Sequence, residues 1–157
     1  MAWSESKIFR PFLADVLGNV AAFDLDADSL KAALYNNSGT PDANVASALS
    51  AYNTGQWVVA NEVSDPGQWA AGGVALANQV LNSATANTVF LDADNTASGS
   101  AATLANVFGC LVYDDTLAAP VADQGICYNY FGGSNSVVSG SFTIAWNVNG
   151  ILRYTHS

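Results

Sequence analysis

The sequence predicts a mainly β domain: an antiparallel β-sandwich, jelly-roll-like, with a short N-terminal helix and one small inserted helix. Three observations carry that expectation. From Leu104 to Tyr154 the chain reads as a run of strands joined by turn residues. Elsewhere, short apolar segments recur between Gly, Pro, Asn and Asp clusters, giving eight or nine strands with no long helices to make parallel crossovers. Only 11% of residues are charged while half are apolar, a composition poor in the helix-favouring Lys, Arg and Glu. A chain of 157 residues is one domain of ordinary size. Residues 1–19 are expected as an N-terminal arm and residues 20–157 as the single sandwich domain.

Taken in order, Ile8, Phe9, Phe12, Leu13, Val16 and Leu17 recur at helical spacing. Pro11 is tolerated only in a first turn, so this short helix begins near Arg10 and stops at Gly18. With Trp3 before it, the segment is either a lid on the core or an exposed peg for a partner. Asp24, Asp26 and Asp28 alternate like calcium ligands, but Ser29 and Tyr35 stand where an EF-hand loop needs its glycine and its closing acid. The expected role is a turn into a strand, Leu30 to Tyr35. Thr40-Pro41-Asp42 opens a small helix carrying Val45, Leu49 and Tyr52, closed by Asn53-Thr54-Gly55. Trp57 to Val63, Val74 to Leu81 and Thr88 to Asp92 read as strands, the last two around a turn at 82–87, followed by a loop from Asp94 to Ala102.

Asn106 to Tyr113 is apolar on both alternating sets, as a strand covered on both faces requires. Gly125 to Phe131 is expected to pair with it and to end at Gly132-Gly133. Ser141 to Val148 alternates cleanly, and Asn149-Gly150 suits a two-residue type I′ turn into a strand at 151–155. That hairpin would set Trp146 opposite Arg153. Cys110 and Cys127 fall on paired strands and are expected to be reduced, buried and apolar in role.

The net charge of −9, with Lys7, Arg10, Lys31 and Arg153 as the only basic side chains, repels phosphate backbones and anionic lipid, so nucleic acid and membrane are not expected partners. No apolar run approaches a membrane span, and the N-terminus lacks an uninterrupted apolar signal region, so synthesis as a soluble cytoplasmic protein is expected. The single histidine is the penultimate residue, His156, which disfavours serine or cysteine triads and histidine metal sites. No phosphate loop, nucleophile elbow or paired Cys-x-x-Cys occurs. No catalytic residue, metal or cofactor is therefore expected, although a carboxylate pair using Glu62 stays open. Trp57, Trp69, Tyr128, Tyr130 and Phe131 are candidates for a sugar-stacking platform, with core or interface as the alternative.

Several segments, in this order, carry a resemblance: Leu30-Lys-Ala-Ala-Leu-Tyr-Asn-Asn-Ser-Gly-Thr-Pro-Asp42, Asn61-Glu-Val-Ser64, Ala70-Ala-Gly-Gly-Val-Ala-Leu76, Phe90-Leu-Asp-Ala-Asp94, Gly140-Ser-Phe-Thr-Ile-Ala-Trp146 and Asn149-Gly-Ile-Leu152. From about residue 23 to the end the chain resembles small virion structural proteins of tailed bacteriophages. That resemblance implies a non-enzymatic virion component, a capsid decoration (cement) or minor capsid protein, with the major capsid protein as partner and self-association as a trimer. The alternative is a tail-tip or fibre adhesin domain that binds a host surface glycan. The N-terminal stretch lies outside the resemblance. Its Trp3, Lys7, Ile8, Phe9, Arg10, Phe12 and Leu13 are the candidate partner-binding residues.

Overall fold

The computed structural model describes residues 3–84 and 86–156. Met1 and Ala2 of the expected arm, and Thr85 of the expected 82–87 turn, lie outside them. The chain is mainly β, antiparallel and sandwich-like, with two short helices. β1 (Lys7–Ile8) leads into α1 (Arg10–Leu17), then β2 (Leu30–Tyr35) and α2 (Ser47–Ser50). β3 (Val74–Ala75), β4 (Val80–Asn82), β5 (Thr88–Asp92) and β6 (Thr96–Ala97) follow. The two longest strands, β7 (Ala102–Asp114) and β8 (Gly125–Gly140), precede β9 (Thr143–Ile144) and β10 (Leu152–Thr155).

One sheet runs β1-β8-β7-β2-β3, a second β10-β5-β4, and β6 pairs with β9. β7 sits mid-sheet between β8 and β2, and its residues Cys110 to Tyr113 are buried on both alternating sets, as the doubly apolar pattern requires. A single buried cluster joins Leu34 and Leu111 of the large sheet to Leu91 of β5, Ile144 of β9 and Ile151. Around Trp57 the core is aromatic: Tyr35, Trp3, Tyr128 and Phe9 lie 5.1, 5.8, 5.8 and 5.9 Å away, centroid to centroid. Three of these four contacts are edge-on, the arrangement that ring quadrupoles favour.

Several expectations are corrected. Trp57 to Val63 is not a strand. Val59–Asn61 forms a 3-10 turn, because Trp57 is drawn into the core, where its carbonyl accepts a bond from Tyr35 Oη. Only residues 61–63 then meet the β2 edge, through Val63 N to Leu34 O and Asn36 N to Asn61 O. The expected strand from Val74 to Leu81 divides between two sheets, broken where Asn78 adopts φ +52° and Gln79 Nε2 reaches back to the Leu25 carbonyl. The inserted helix shrinks to Ser47–Ser50, since the Asp42 carboxylate turns back to cap the Asn44 N–H. β8 does not end at Gly132-Gly133: both glycines take positive φ, and the strand passes through them with shifts of register against β7, as bulges allow.

The expected hairpin of 141–148 with 151–155 does not form. β9 pairs with β6, Thr96 opposite Ile144, and β10 pairs with β5, Arg153 opposite Phe90. Competing partners decide this. Asn95 Oδ1 accepts from Trp146 N at 3.1 Å, the Leu91 carbonyl accepts from Ile151 N at 2.7 Å, and Arg153 Nη1 bonds to Asn149 Oδ1 instead of lying along Trp146.

The Asp24 to Asp28 acids close a local turn. Asp24 Oδ1 accepts from the backbone of Asp26 and Ala27, and Asp28 Oδ2 from Asp24 N. No grouping of three or more metal-ligating side chains occurs among the described residues.

Candidate functional site: an aromatic groove

The N-terminal candidates divide by burial. Trp3, Phe9 and Phe12 are buried, Ile8 is half-buried, and Lys7, Arg10 and Leu13 are exposed. Trp3 donates its indole N–H to the Asn36 carbonyl at 2.9 Å, and β1 sets Ile8 opposite Cys127 on the edge of β8. Lys7 pairs with Glu5, while Arg10 Nη2 bonds to the Asn44 carbonyl. The boundary at residue 19 is therefore not a boundary in packing, because the segment completes both the large sheet and the core. The apolar side chains that a detachable anchor needs at the surface are the lid. What α1 leaves outside is a different stripe, Leu13, Val16 and Leu17 continued by Val20, which are 41, 43, 86 and 58% exposed. Spacing of three and four places Leu13, Val16 and Leu17 on one side of the helix, and Val20 follows beyond its end, after Gly18 and the positive-φ Asn19.

Trp57, Trp69 and Tyr128 are buried and cannot stack on a ligand. Tyr130 and Phe131, in contrast, line a groove of about 500 Å³ between β8 and the segment 142–147, to which Gly150, Ile151 and Ser6 also contribute. Phe142 and Trp146 line it as well, Phe142 packing on Phe131 at 6.3 Å between ring centroids. The rim is braced from behind. Tyr130 lies 6.4 Å from the Trp3 ring at an interplanar angle of 24°, and its backbone N–H donates to Ser6 Oγ. Phe142 meets the buried Trp69 edge-on at 5.9 Å, and Trp146 donates its indole N–H to Thr96 Oγ1 at 3.0 Å.

Polar groups enter between the rings. Asn135 is held by donating Nδ2 to the carbonyls of Gly133 and Val107, Asn129 donates to Cys127 Sγ, and Asn147 accepts from Asn149 through Oδ1. The Oδ1 atoms of Asn129 and Asn135 and the Nδ2 of Asn147 have no protein partner among the described residues. None of the thirteen lining residues is acidic or basic.

A second hollow of about 420 Å³ adjoins the groove, sharing Ser6, Asn129 and Ile151 with it and reaching Lys7 and Arg153. Sequence reasoning named Tyr130 and Phe131 but missed Trp146, Phe142 and the three asparagines. The visible signal for the former two was the alternating face of 141–148, assigned instead to a hairpin with 151–155.

The titratable side chains with shifted affinities lie outside the aromatic groove, although Cys127 and Tyr128 line the second hollow. Glu62 is tied down, Oε2 accepting from Tyr52 Oη and Oε1 from Gly72 N, both at 2.8 Å. Burial raises its pKa against these two bonds. Tyr52 stacks on Tyr113 at 5.0 Å, and burial raises both phenols. This carboxylate ties the segment around residue 62 to the loop at 72. Burial also raises both thiols, Cys127 to about 12 and Cys110 well above the ordinary thiol value. Both cysteines are free and lie on one face of β7 and β8, displaced by two residues because Cys127 stands opposite Val112 and Cys110 opposite Asn129.

No protein-family model, curated protein or solved structure matches the chain.

Proposed function

We propose that the protein is a non-enzymatic structural component of a phage virion, a capsid decoration or minor capsid protein that binds the major capsid protein and associates with its own copies as a trimer. The observation that carries this reading is the outer face of α1. The helix buries Phe12 and Pro11, yet it and the turn after it hold Leu13, Val16, Leu17 and Val20 in solvent. On a chain with only 11% charged residues, such a stripe fits a surface that neighbouring subunits cover. The shell partner binds there in place of the buried Trp3 and Phe9, with exposed Arg10 at the stripe's N-terminal end. No catalytic residue, cofactor or metal enters this reading.

Electron microscopy of purified particles tests it. Density on the head at local threefold positions is expected, and density at the tail alone overturns the capsid assignment. Leu17→Asp places a charge on the stripe without touching the core, and is expected to lower particle occupancy while leaving the thermal melt unchanged.

A further inference from the structure

We propose that the groove between β8 and the 142–147 segment binds a neutral, linear oligosaccharide, wherever on a particle the protein sits. Sugars have faces of C–H groups ringed by hydroxyls that both donate and accept. The groove offers the complement of each. Tyr130, Phe131, Phe142 and Trp146 supply ring surface, whose negative π faces attract weakly positive C–H groups. Asn129, Asn135 and Asn147 supply amides with free acceptors and a free donor, the mixed polarity that a hydroxyl needs.

Charge narrows the class. With no ionised side chain in the groove and a net charge of −9 on the chain, an acidic saccharide meets repulsion with no compensating cation at the rings. Cationic ligands find no carboxylate. The volume of about 500 Å³ falls within the usual range for small-molecule sites. The adjoining hollow past Ser6 and Asn129 lets a chain continue beyond the rings, which favours an oligomer over a single sugar; the two cations that line it, Lys7 and Arg153, are engaged by Glu5 and by Asn149 Oδ1. Rigidity adds to this. Trp3 behind Tyr130, Trp69 behind Phe142 and Thr96 on the Trp146 indole fix the platform before binding, so less order is lost on association.

The molecule carries its own reporter. Trp3, Trp57 and Trp69 are at most 3% exposed, so a collisional quencher such as acrylamide reaches Trp146 first. The full chain is titrated with oligosaccharides of glucose, mannose, galactose, N-acetylglucosamine and N-acetylgalactosamine, with a uronic-acid oligomer and a peptide digest as counter-probes. At about 10 mM, ten times a millimolar Kd and hence about nine-tenths occupancy, at least one neutral member is expected to lower acrylamide quenching several-fold. Ala145→Arg, an exposed position lining the groove, is expected to abolish that protection with an unchanged melt. The proposal is overturned if no neutral saccharide protects, if protection survives Ala145→Arg, or if only the acidic oligomer or the peptides protect.

Discussion

Replacing Phe9 by Ala separates a lid from an arm. Phe9 is fully buried, its ring edge-on to Trp57 at 5.9 Å and to Tyr128 at 5.4 Å, and its backbone N–H bonds to the Ile126 carbonyl. The room for the ring is made by Gly125, where an added Cβ would lie 2.8 Å from the Phe9 ring. β8 therefore follows the shape of the phenyl, and a cavity left there is walled by strand backbone that collapses poorly. Truncating a buried Phe to Ala costs about 3–5 kcal/mol, a large share of the ~5–15 kcal/mol that holds a domain folded. At roughly 2–4 °C per kcal/mol for a chain of this size, the melt should fall by about 6–20 °C. Urea unfolding followed by tryptophan fluorescence gives the same quantity from the midpoint at constant slope. Leu13→Ala, on the exposed face of the same helix, is the control and should stay within about 0.5 kcal/mol of the parent. A cost below about 1 kcal/mol for Phe9→Ala would refute the packing argument and return the segment to the role of a detachable anchor.

Two further outcomes follow from buried polar groups. Asp114 is fully buried. Its Oδ1 accepts from the N–H groups of Thr116 and Leu117, while Oδ2 has no partner, and burial together with the nearby Asp28 carboxyl raises its pKa from 3.8 to about 6. The folded state therefore holds the proton more tightly than the unfolded one. The stability this group contributes is full below about pH 4, lost as pH rises to about 6, and constant above. Asp114→Asn removes that slope, so its urea midpoint should gain on the parent between pH 4 and 6 and hold the gain at pH 7; parallel pH profiles would contradict the assignment. Replacing Cys110 and Cys127 together by Ala should cost about 1–3 kcal/mol of packing and nothing in assembly. Alkylation of the native protein should leave both thiols untouched, and an unreduced mass two hydrogens light would sink the reduced-thiol expectation.

Local pattern fixed some of this fold and left the rest to competition between distant partners. The β7 core strand was legible because Asn106 to Tyr113 is apolar on both faces, and α1 because Pro11 and Gly18 bracket it. The division of the helix into an inner and an outer apolar face was not, since Phe12 and Leu13 are equally apolar and only the tertiary partner decides: Phe12 meets Phe23 edge-on at 4.9 Å while Leu13 stays 41% exposed. Trp57 to Val63 has the composition of a strand, yet the Tyr35 hydroxyl and four surrounding rings hold Trp57 as a core plug. β propensity describes fit to a pleated surface, and here the better fit was a cage of aromatics.

The Asn149-Gly150 pair gives the same lesson at the groove itself. The expected type I′ turn is not the one made: of the pair only Gly150 takes positive φ, +96°, and the bond from its N–H to the Asn147 carbonyl centres the turn on Val148 and Asn149, one residue earlier. A turn does not by itself determine what its arms pair with. At Gly150 a Cβ would stand 2.6 Å from the Leu91 carbonyl and 3.0 Å from the Phe90 ring, so the glycine also admits β5 at close range, which is a second reason for glycine beyond positive φ. With β5 that near, residues 152–155 add to its edge, while 143–144 remain with β6. The two arms diverge instead of zipping together. Trp146, which the hairpin would have set opposite Arg153, is left half-buried, and it lines the groove with Tyr130 and with Phe142, which packs on Phe131 at 6.3 Å between ring centroids. The groove is thus the direct product of the pairing that replaced the hairpin, and its aromatic lining is the alternating face of residues 141–148 put to a different use.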